Sequence, residues 1–242
     1  MSHQILTKIR RACYNYSLIS ENDRIAIGYS GGKDSMVLVS CLEEIRKYYH
    51  LPFTLVVIHL DLGFGKQDFN SVFKHFQNRS IEFKVIPTKI NDILQKNLTN
   101  SAKLPCSLCS KFKKALMISA AKDYGCNKVA FAHHGDDAIE TFFLNAIYGG
   151  KAAVFQPKMY MSKTDMTFIR PLIYVREAEI NQYCQALQLP LIPSNCPNDG
   201  FTKRAEIKNL LSSIYQQYPQ AYQNFLIMLE NQTNINLWKK EN

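Results

Sequence analysis

The sequence lacks the features that mark a membrane-spanning or secreted protein. No run of eighteen apolar residues occurs in its 242 residues, so no transmembrane helix is predicted. The N-terminal stretch MSHQILTKIRRACYNYS contains no apolar core of the kind that a signal peptide needs. Internal repeats and low-complexity tracts are absent as well. We therefore expect a cytoplasmic protein that has no membrane partner.

The sequence is also short of cysteine pairs that could build a disulfide framework. It has seven cysteines, an odd number, and in a reducing compartment thiols stay free. Four of them stand in apolar stretches and are expected to act as small apolar residues. These are Cys13, Cys41, Cys126 and Cys184.

Acidic residues are fewer than basic ones. The chain has 29 Lys and Arg against 20 Asp and Glu, a formal net charge of +9. Such a surplus attracts the phosphate backbones of nucleic acids. Ordinary basic enzymes carry a similar charge, however, so the net charge alone does not identify a partner. Basic residues cluster in KIRR (8–11) and KFKK (111–114).

Strand-like and helix-like segments alternate along the chain. The predicted strands are Arg24–Tyr29, Thr54–Leu60, Glu82–Pro87, Lys128–Ala132 and Phe168–Leu172. The predicted helices are Asp34–Tyr49, Phe69–Gln77, Ser107–Tyr124 and Asp137–Tyr148. This alternation predicts an α/β fold with a doubly wound, mostly parallel sheet. We divide the chain into an α/β domain over 1–175 and a helical C-terminal extension over 176–242.

The segment IAIGYSGGKDSMVL, residues 25–38, leads from an apolar strand into a helix through two glycines. Backbone N–H groups in such a turn bind anions, and the helix N-terminus assists them. Lys33 adds a positive charge, and Ser30 and Ser35 add hydroxyl donors. Asp34 would repel phosphate, so a Mg²⁺ ion between them is expected. The spacing of the glycines matches neither the Walker motif nor the Rossmann motif. A plain turn between strand and helix would explain the two glycines, but not the lysine, the aspartate and the serines.

A second polar group follows the fourth predicted strand. In FAHHGDDAIETFFLNAIYGG, residues 131–150, the group consists of His133, His134, Asp136 and Asp137. Ligands of open α/β sheets bind at this end of the strands. The residues alone leave two alternatives open, because the cluster could hold a metal itself and either aspartate could cap the next helix.

Three cysteines form the third candidate group. Cys106 and Cys109 open a helical pattern, and helical spacing places both on one face with Lys113. A C-x-x-C pair can be a redox pair, half of a zinc site or part of an iron–sulfur site. With Cys196, from the loop PSNCPNDG (193–200), the set has three thiolates. Three thiolates lack the fourth ligand of structural zinc and fit a [4Fe-4S] cluster with one open iron, while unliganded thiols remain the alternative.

The motif SGGKDS resembles the pyrophosphate loop of the N-type ATP pyrophosphatases, the PP-loop superfamily. Its members cleave ATP between the α and β phosphates and adenylate a substrate, on a HUP-type sheet like that of the adenine nucleotide α-hydrolases. VVIHLDLGF (56–64) is similar to their second strand, which implies His59 and Leu60 as adenine contacts. The stretch 131–150 resembles their His-x-x-Asp-Asp motif. That resemblance implies Asp137 as a catalytic carboxylate near the triphosphate and Mg²⁺.

The order of the motifs resembles one family within that superfamily. The phosphate loop, the C-x-x-C pair, His-His-x-Asp-Asp, RPLIYVRE (170–177) and a late cysteine follow one another here. This order is similar to that of the TtcA/TtuA-type tRNA 2-thiolation enzymes over about residues 5–215, and most similar to the branch that makes 2-thiocytidine. It implies an ATP-dependent tRNA sulfurtransferase that uses ATP, Mg²⁺ and a [4Fe-4S] cluster. Its expected partners are tRNA and a sulfur donor, either a cysteine desulfurase or sulfide, and a homodimer is one expected assembly.

The resemblance also implies a role for each candidate residue. ATP binding falls to Ser30, Gly31, Gly32, Lys33, Asp34, Ser35, His59, Leu60, His133 and Asp136. The expected catalytic residues are Asp137, Lys113 and Lys33. The expected ligands of the [4Fe-4S] cluster are Cys106, Cys109 and Cys196, and those of Mg²⁺ are Asp34 and Asp137. Lys113 would bind phosphate or polarise the base, and KFKK and Arg204 would contact tRNA phosphates.

Three other functions fit parts of the same pattern. Relatives that form amides or lysidine adenylate their substrate in the same way but attack it with an amine. A thiolation enzyme could instead carry a persulfide on one cysteine without iron. A non-catalytic ATP- and tRNA-binding protein would release no pyrophosphate, but mere binding does not require Asp34 and Asp137 beside phosphates.

Overall fold

The chain alternates strands and helices. The computed structural model describes residues 2–48, 52–96, 106–197, 203–231, 233 and 236–238. The helices are α1 (Ser2–Asn15), α2 (Lys33–Tyr48), α3 (Asn70–Gln77), α4 (Ile90–Lys96), α5 (Cys106–Asp123), α6 (Gly135–Gly149), α7 (Glu177–Ala186), α8 (Lys203–Gln217) and α9 (Ala221–Glu230). The strands are β1 (Arg24–Gly28), β2 (Thr54–Asp61), β3 (Glu82–Pro87), β4 (Lys128–Ala130), β5 (Lys158–Met161) and β6 (Met166–Ile169). Within this part of the chain, no helix has the length and apolar character that crossing a membrane requires.

The six strands form one sheet in the order β3-β2-β1-β4-β6-β5. All neighbours pair in parallel except β5 and β6, which are antiparallel. The predicted α/β fold with a mostly parallel sheet is confirmed. The antiparallel edge strand β5 was not predicted. It has only four residues, and their side chains are exposed or half-buried, so they form no long apolar run.

The order of the strands reverses at the centre of the sheet. From β1 the chain proceeds to β2 and then β3 on one side, whereas β4 and β6 lie on the other side. Such a reversal leaves a crevice at the carboxyl ends of the two central strands, where ligands of α/β proteins bind. The phosphate-loop motif follows β1 and the two histidines follow β4, so both leave the sheet at this crevice.

The central strands are apolar because helices cover both faces of a parallel sheet. The side chains of Ile25, Ala26 and Ile27 in β1 are fully buried, as are those of Val56 and Val57 in β2. Their consecutive burial explains why these strands read as continuous apolar runs in the sequence.

The contacts divide the chain into two compact units. The first unit comprises Met1–His134 and Gln156–Asp199 and contains the whole sheet. The second comprises Gly135–Phe155 and Gly200–Asn242, with α6, α8 and α9. This grouping does not coincide with the predicted division at residues 175 and 176, since α7 and the loop of Cys196 group with the sheet.

The second unit has an apolar core of its own. Its buried side chains come from all three helices: Ile139 from α6, Ile207 and Leu211 from α8, and Tyr222 and Leu226 from α9. The helical prediction for the C-terminal end is therefore correct for α8 and α9.

A buried ion pair fixes the amino-terminal ends of β1 and β4. Lys128 Nζ lies 2.6 Å from Asp23 Oδ2, and the two side chains are 8% and 4% exposed. Asp23 also accepts hydrogen bonds from the Ser20 amide and the Asn127 side chain, while Lys128 donates to the Leu18 carbonyl. The pair thereby joins the segment before β1 to the start of β4.

We predict that Lys128→Met lowers the free energy of unfolding by about 3–5 kcal/mol, since removal of one partner leaves a buried charge without compensation. Urea denaturation measures the loss. Lys158→Met is the matched control, because Lys158 also donates to a backbone carbonyl, that of Ser17, but is exposed. The prediction is wrong if both variants unfold at the same urea concentration.

Candidate functional site

The phosphate-loop motif forms a closed, hydrogen-bonded turn between β1 and α2. The Ser30 amide donates to Ser35 Oγ, and the two hydroxyl oxygens lie 3.1 Å apart. Ser35 Oγ donates to the Gly32 carbonyl, and the Gly32 amide donates to Ser30 Oγ at 3.3 Å. These bonds hold the turn together, and α2 begins directly after it at Lys33.

Gly31 is the residue of this turn that must be a glycine. Its φ angle is +91°, a backbone conformation that residues other than glycine rarely adopt. A Cβ atom on Gly31 would lie 3.1 Å from Ile192 Cβ and 3.2 Å from the Ile192 carbonyl oxygen. The Ile192 amide donates to the Gly31 carbonyl at 2.9 Å. A Cβ on Gly32 would meet only Ser30 Oγ, at an ordinary 3.5 Å.

Lys33 is held by two carboxylates. Its Nζ lies 3.0 Å from Asp34 Oδ1 and 3.0 Å from Glu177 Oε1 at the start of α7. Burial alone would lower the pKa of Lys33, but the two carboxylates outweigh it and raise the pKa above its usual value. The ammonium therefore stays protonated, as an electrostatic partner of phosphate must.

The two histidines after β4 have different environments. His134 is buried, and its Nε2 lies 4.0 Å from Asp34 Oδ1. His133 is half-buried, and its Nδ1 accepts a hydrogen bond from Arg170 Nε at 3.3 Å. Burial lowers the pKa of Arg170 to about 10, and its guanidinium also donates to the Gln156 carbonyl. Arg170 was not predicted as a site residue, although it opens the RPLIYVRE motif.

The predicted adenine contacts lie inside the sheet. His59 and Leu60 are buried, with 5% and 7% exposure. The Nδ1–H group of His59 donates to the Tyr29 carbonyl, and the ring packs at 4.9 Å from Phe69. Burial lowers the pKa of His59, so the ring is neutral at neutral pH. The adenine role of both residues stays a prediction.

Asp136 and Asp137 lie in the first turn of α6, which begins at Gly135. Neither is therefore the residue that caps the helix, and the capping alternative is wrong for both. Negative charge in a first helical turn is favourable because it faces the positive end of the helix dipole. Tyr222 lies with its hydroxyl 3.5 Å from Asp136 Oδ2, at the limit of a hydrogen bond.

Within the second unit, Asp137 is paired with Arg204. Arg204 NH1 lies 3.0 Å from Asp137 Oδ1 and 3.3 Å from Glu140 Oε2. Its NH2 donates to Thr141 Oγ1 at 3.1 Å. The structure thus pairs Arg204 with two carboxylates of α6, and its contact with tRNA phosphates stays a prediction. Sequence reasoning missed this pairing because Arg204 is far from Asp137 along the chain.

The cysteines of the C-x-x-C pair occupy the first turn of α5. Cys106 is exposed and Cys109 is half-buried. Burial raises the pKa of Cys109, the Lys113 ammonium lowers it, and the thiols of Cys196 and Cys106 raise it further. The three predicted cluster cysteines therefore lie close enough to interact electrostatically, with Lys113 beside them.

The loop that carries Cys196 is tied to the loops after β1 and β2. Ile192 binds Gly31, the Gln67 side chain donates to the Pro193 carbonyl, and the Asn195 side chain donates to the Lys66 carbonyl. Cys196 follows directly and is exposed. The thiol of Cys196 thus lies four residues beyond the hydrogen bond that joins this loop to the phosphate loop.

The described cysteines form no disulfide bond. Cys41, Cys126 and Cys184 are buried, as expected for small apolar residues, and Cys13 is half-buried. Across the residues that the structure describes, no three side chains of His, Cys, Asp or Glu are arranged so that they could hold a metal ion.

We predict that Gly31→Ala destabilises the phosphate loop by about 1–3 kcal/mol, because alanine is strained at this φ angle and its Cβ presses on Ile192. Gly32→Ala is the matched control one residue away. Thermal unfolding should show a lower midpoint for the first variant alone. Equal midpoints for the two variants would contradict the assigned turn.

Comparison with known proteins agrees with this geometry. The family described as the PP-loop domain matches residues 1–213. A tRNA-cytidine(32) 2-sulfurtransferase of Aliivibrio fischeri strain MJ11 is 31% identical over 234 residues, which cover 95% of this chain and 76% of that protein. A protein of the same name from Citrifermentans bemidjiense is 32% identical over 231 residues, covering 94% and 90%. The U34-tRNA thiolase NcsA from Methanococcus maripaludis, solved with its [4Fe-4S] cluster, shares the fold with a TM-score of 0.75 at 23% identity, covering 97% and 79%. The phosphate loop, the sheet that presents it and these relatives show that the chain belongs to the PP-loop domain family.

Proposed function

We propose that this protein is an ATP-dependent tRNA sulfurtransferase that replaces the C2 oxygen of a tRNA cytidine with sulfur. The observation that carries the proposal is the bond between the Ile192 amide and the Gly31 carbonyl. It attaches the loop that carries Cys196 to the phosphate loop. The names of the relatives at 31% and 32% identity support the choice of tRNA cytidine.

The first step of the proposed reaction is adenylation of the base. The C2 oxygen forms a bond to the α-phosphorus of ATP, the α–β phosphoanhydride bond breaks and pyrophosphate leaves. The Gly31 amide and the Lys33 ammonium stabilise the negative charge that develops. Asp137 assists as a base or as a metal ligand.

Carboxylate oxygens are the ligands that Mg²⁺ prefers, which suits Asp34 and Asp137. A bound Mg²⁺ would neutralise phosphate charge and allow Asp34 to stand beside the triphosphate. Asp34 is 34% exposed at its side chain, so an ion can reach it from solvent.

In the second step sulfur replaces the activated oxygen. A sulfide forms a bond to C2, the C2–O bond breaks and AMP leaves with the oxygen. The sulfide is supplied directly, or it is released from the persulfide of a cysteine desulfurase when a thiol reductant gives that persulfide two electrons. We assign to Lys113, whose ammonium lowers the pKa of Cys109, the task of binding phosphate or polarising the base. The exposed Lys111 of the same helix is a candidate for contact with tRNA phosphate, which weakens as salt rises.

The three thiols fit a [4Fe-4S] cluster in kind and number. Each cysteine of a four-iron cluster binds a different iron, so three thiols can serve three of its four irons. Cys106, Cys109 and Cys196 would hold such a cluster, which, when bound, supplies an iron without a protein ligand for sulfide.

We predict about four iron and four acid-labile sulfide per chain after strictly anaerobic purification. Cys106→Ser, Cys109→Ser and Cys196→Ser should each lose them, because each removes one of only three ligands. Cys13→Ser, on α1, is the control and should retain both. One zinc per chain would instead indicate a structural site, and a metal-free active protein would favour the persulfide or amine chemistry.

We predict that Lys33→Ala lowers the rate of tRNA-dependent pyrophosphate release by at least the ~10²–10³-fold that one oxyanion donor is worth. Mass spectrometry of digested tRNA should show 2-thiocytidine with the wild type and none with the variant. Lys47→Ala, near the other end of the same helix, is the control, since Lys47 pairs with Glu43 and is 52% exposed. Full activity of Lys33→Ala would refute the assignment of the loop.

A further inference from the structure

The reaction described above gives no task to Glu177, the last residue of the RPLIYVRE motif. It is the first residue of α7, and its Oε1 accepts a hydrogen bond from Lys33 Nζ at 3.0 Å. The Lys33 and Glu177 side chains are 28% and 22% exposed, so the pair is shielded from most solvent. A partly buried charge pair holds its geometry better than a pair on the open surface.

The geometry leaves Lys33 with one donor for a ligand. An ammonium group has three N–H donors and no acceptor. Asp34 and Glu177 take one donor each, and both bonds are 3.0 Å long. Two fixed bonds determine the direction of the third N–H, so the carboxylates orient the donor as well as balance its charge.

Asp34 and Glu177 are not equivalent in this arrangement. Asp34 follows Lys33 in the chain and has a second proposed task at Mg²⁺, which would weaken its hold on the lysine. Glu177 belongs to another helix and has no proposed metal role. It is therefore the carboxylate that can retain Lys33 while Asp34 is engaged elsewhere.

Helix α7 holds Glu177 firmly in place. The Arg176 amide donates to Glu179 Oε2 at 2.9 Å, which closes the first turn of the helix. Farther along, the Tyr183 hydroxyl donates to Glu44 Oε1 on α2 at 2.9 Å. Because α2 also carries Lys33, this contact fixes the two helices that supply both ends of the pair.

We infer that Glu177 is a positioning residue, which orients the Lys33 ammonium toward the phosphates of ATP and restrains it when the site is empty. The inference rests on the proposed function for the role of Lys33 in adenylation. Removal of Glu177 takes away a negative charge near a polyanion, so ATP affinity should hold or rise. The reaction itself should slow, because Lys33 loses its direction.

The test compares Glu177→Ala and Glu177→Gln with Glu179→Gln. Glu179 lies in the same helical turn but binds Lys8, at 2.6 Å. Glutamine removes this ion pair, whereas its carbonyl oxygen can still accept the Arg176 amide that closes the turn. ATP affinity is measured by titration, and kcat and KM by tRNA-dependent pyrophosphate release. A double-mutant cycle of Lys33→Met and Glu177→Gln, measured by urea unfolding, reports whether the two side chains interact in solution.

For Glu177→Ala we expect kcat to fall about ten- to a hundredfold, the worth of one hydrogen bond to a charged group, with ATP affinity unchanged or higher. Glu177→Gln should retain part of the rate, since its carbonyl oxygen still accepts a bond. The unfolding effects of the cycle should not be additive. Glu179→Gln should lower the unfolding midpoint and leave kcat unchanged.

Three results would overturn the inference: an unchanged kcat in Glu177→Ala, an equal loss of kcat in Glu179→Gln, or additive unfolding effects in the cycle. A wild-type protein that releases no pyrophosphate would refute the proposed function instead. In that case a change in ATP affinity on Glu177→Ala that disappears in the Lys33→Met background would support the positioning role, and its absence would overturn it.

Discussion

The arrangement of this protein depends on one backbone hydrogen bond, from the Ile192 amide to the Gly31 carbonyl. Gly31 accepts it in a conformation with positive φ, and the same approach brings Ile192 to the distance at which a side chain on Gly31 would collide with it. The phosphate loop is therefore shaped by a partner far along the chain as well as by its own sequence. That partner is the loop that ends at Cys196.

The sequence predicted best those parts of the fold that local rules determine. The strand β1, the turn after it and the start of α2 were predicted within a residue or two, because apolar runs, glycines and a helix start lie next to one another there. The C-x-x-C pair was placed at the start of a helix for the same reason. The fold class followed from the alternation of such elements.

The sequence could not predict contacts that the three-dimensional fold alone creates. Glu177 and Lys33 are 144 positions apart, and no spacing rule joins them. Arg204 looked like a free cation suited to phosphate, yet it pairs with Asp137 and Glu140 because α6 and α8 pack together in the second unit. Formal charge in the sequence thus overstates the charge that remains available to a ligand.

The segment from Arg170 to Cys196 unites the two chemistries that the proposed reaction needs. Arg170 donates to His133, Glu177 accepts from Lys33 and Ile192 donates to Gly31, so one continuous stretch contacts three of the residues that are predicted to bind ATP. The same stretch then delivers the third thiol. A change in the length of this segment would displace the phosphate loop and Cys196 together. In the proposed reaction, adenylation and sulfur delivery would therefore depend on the same backbone contacts, and neither could be repositioned without the other.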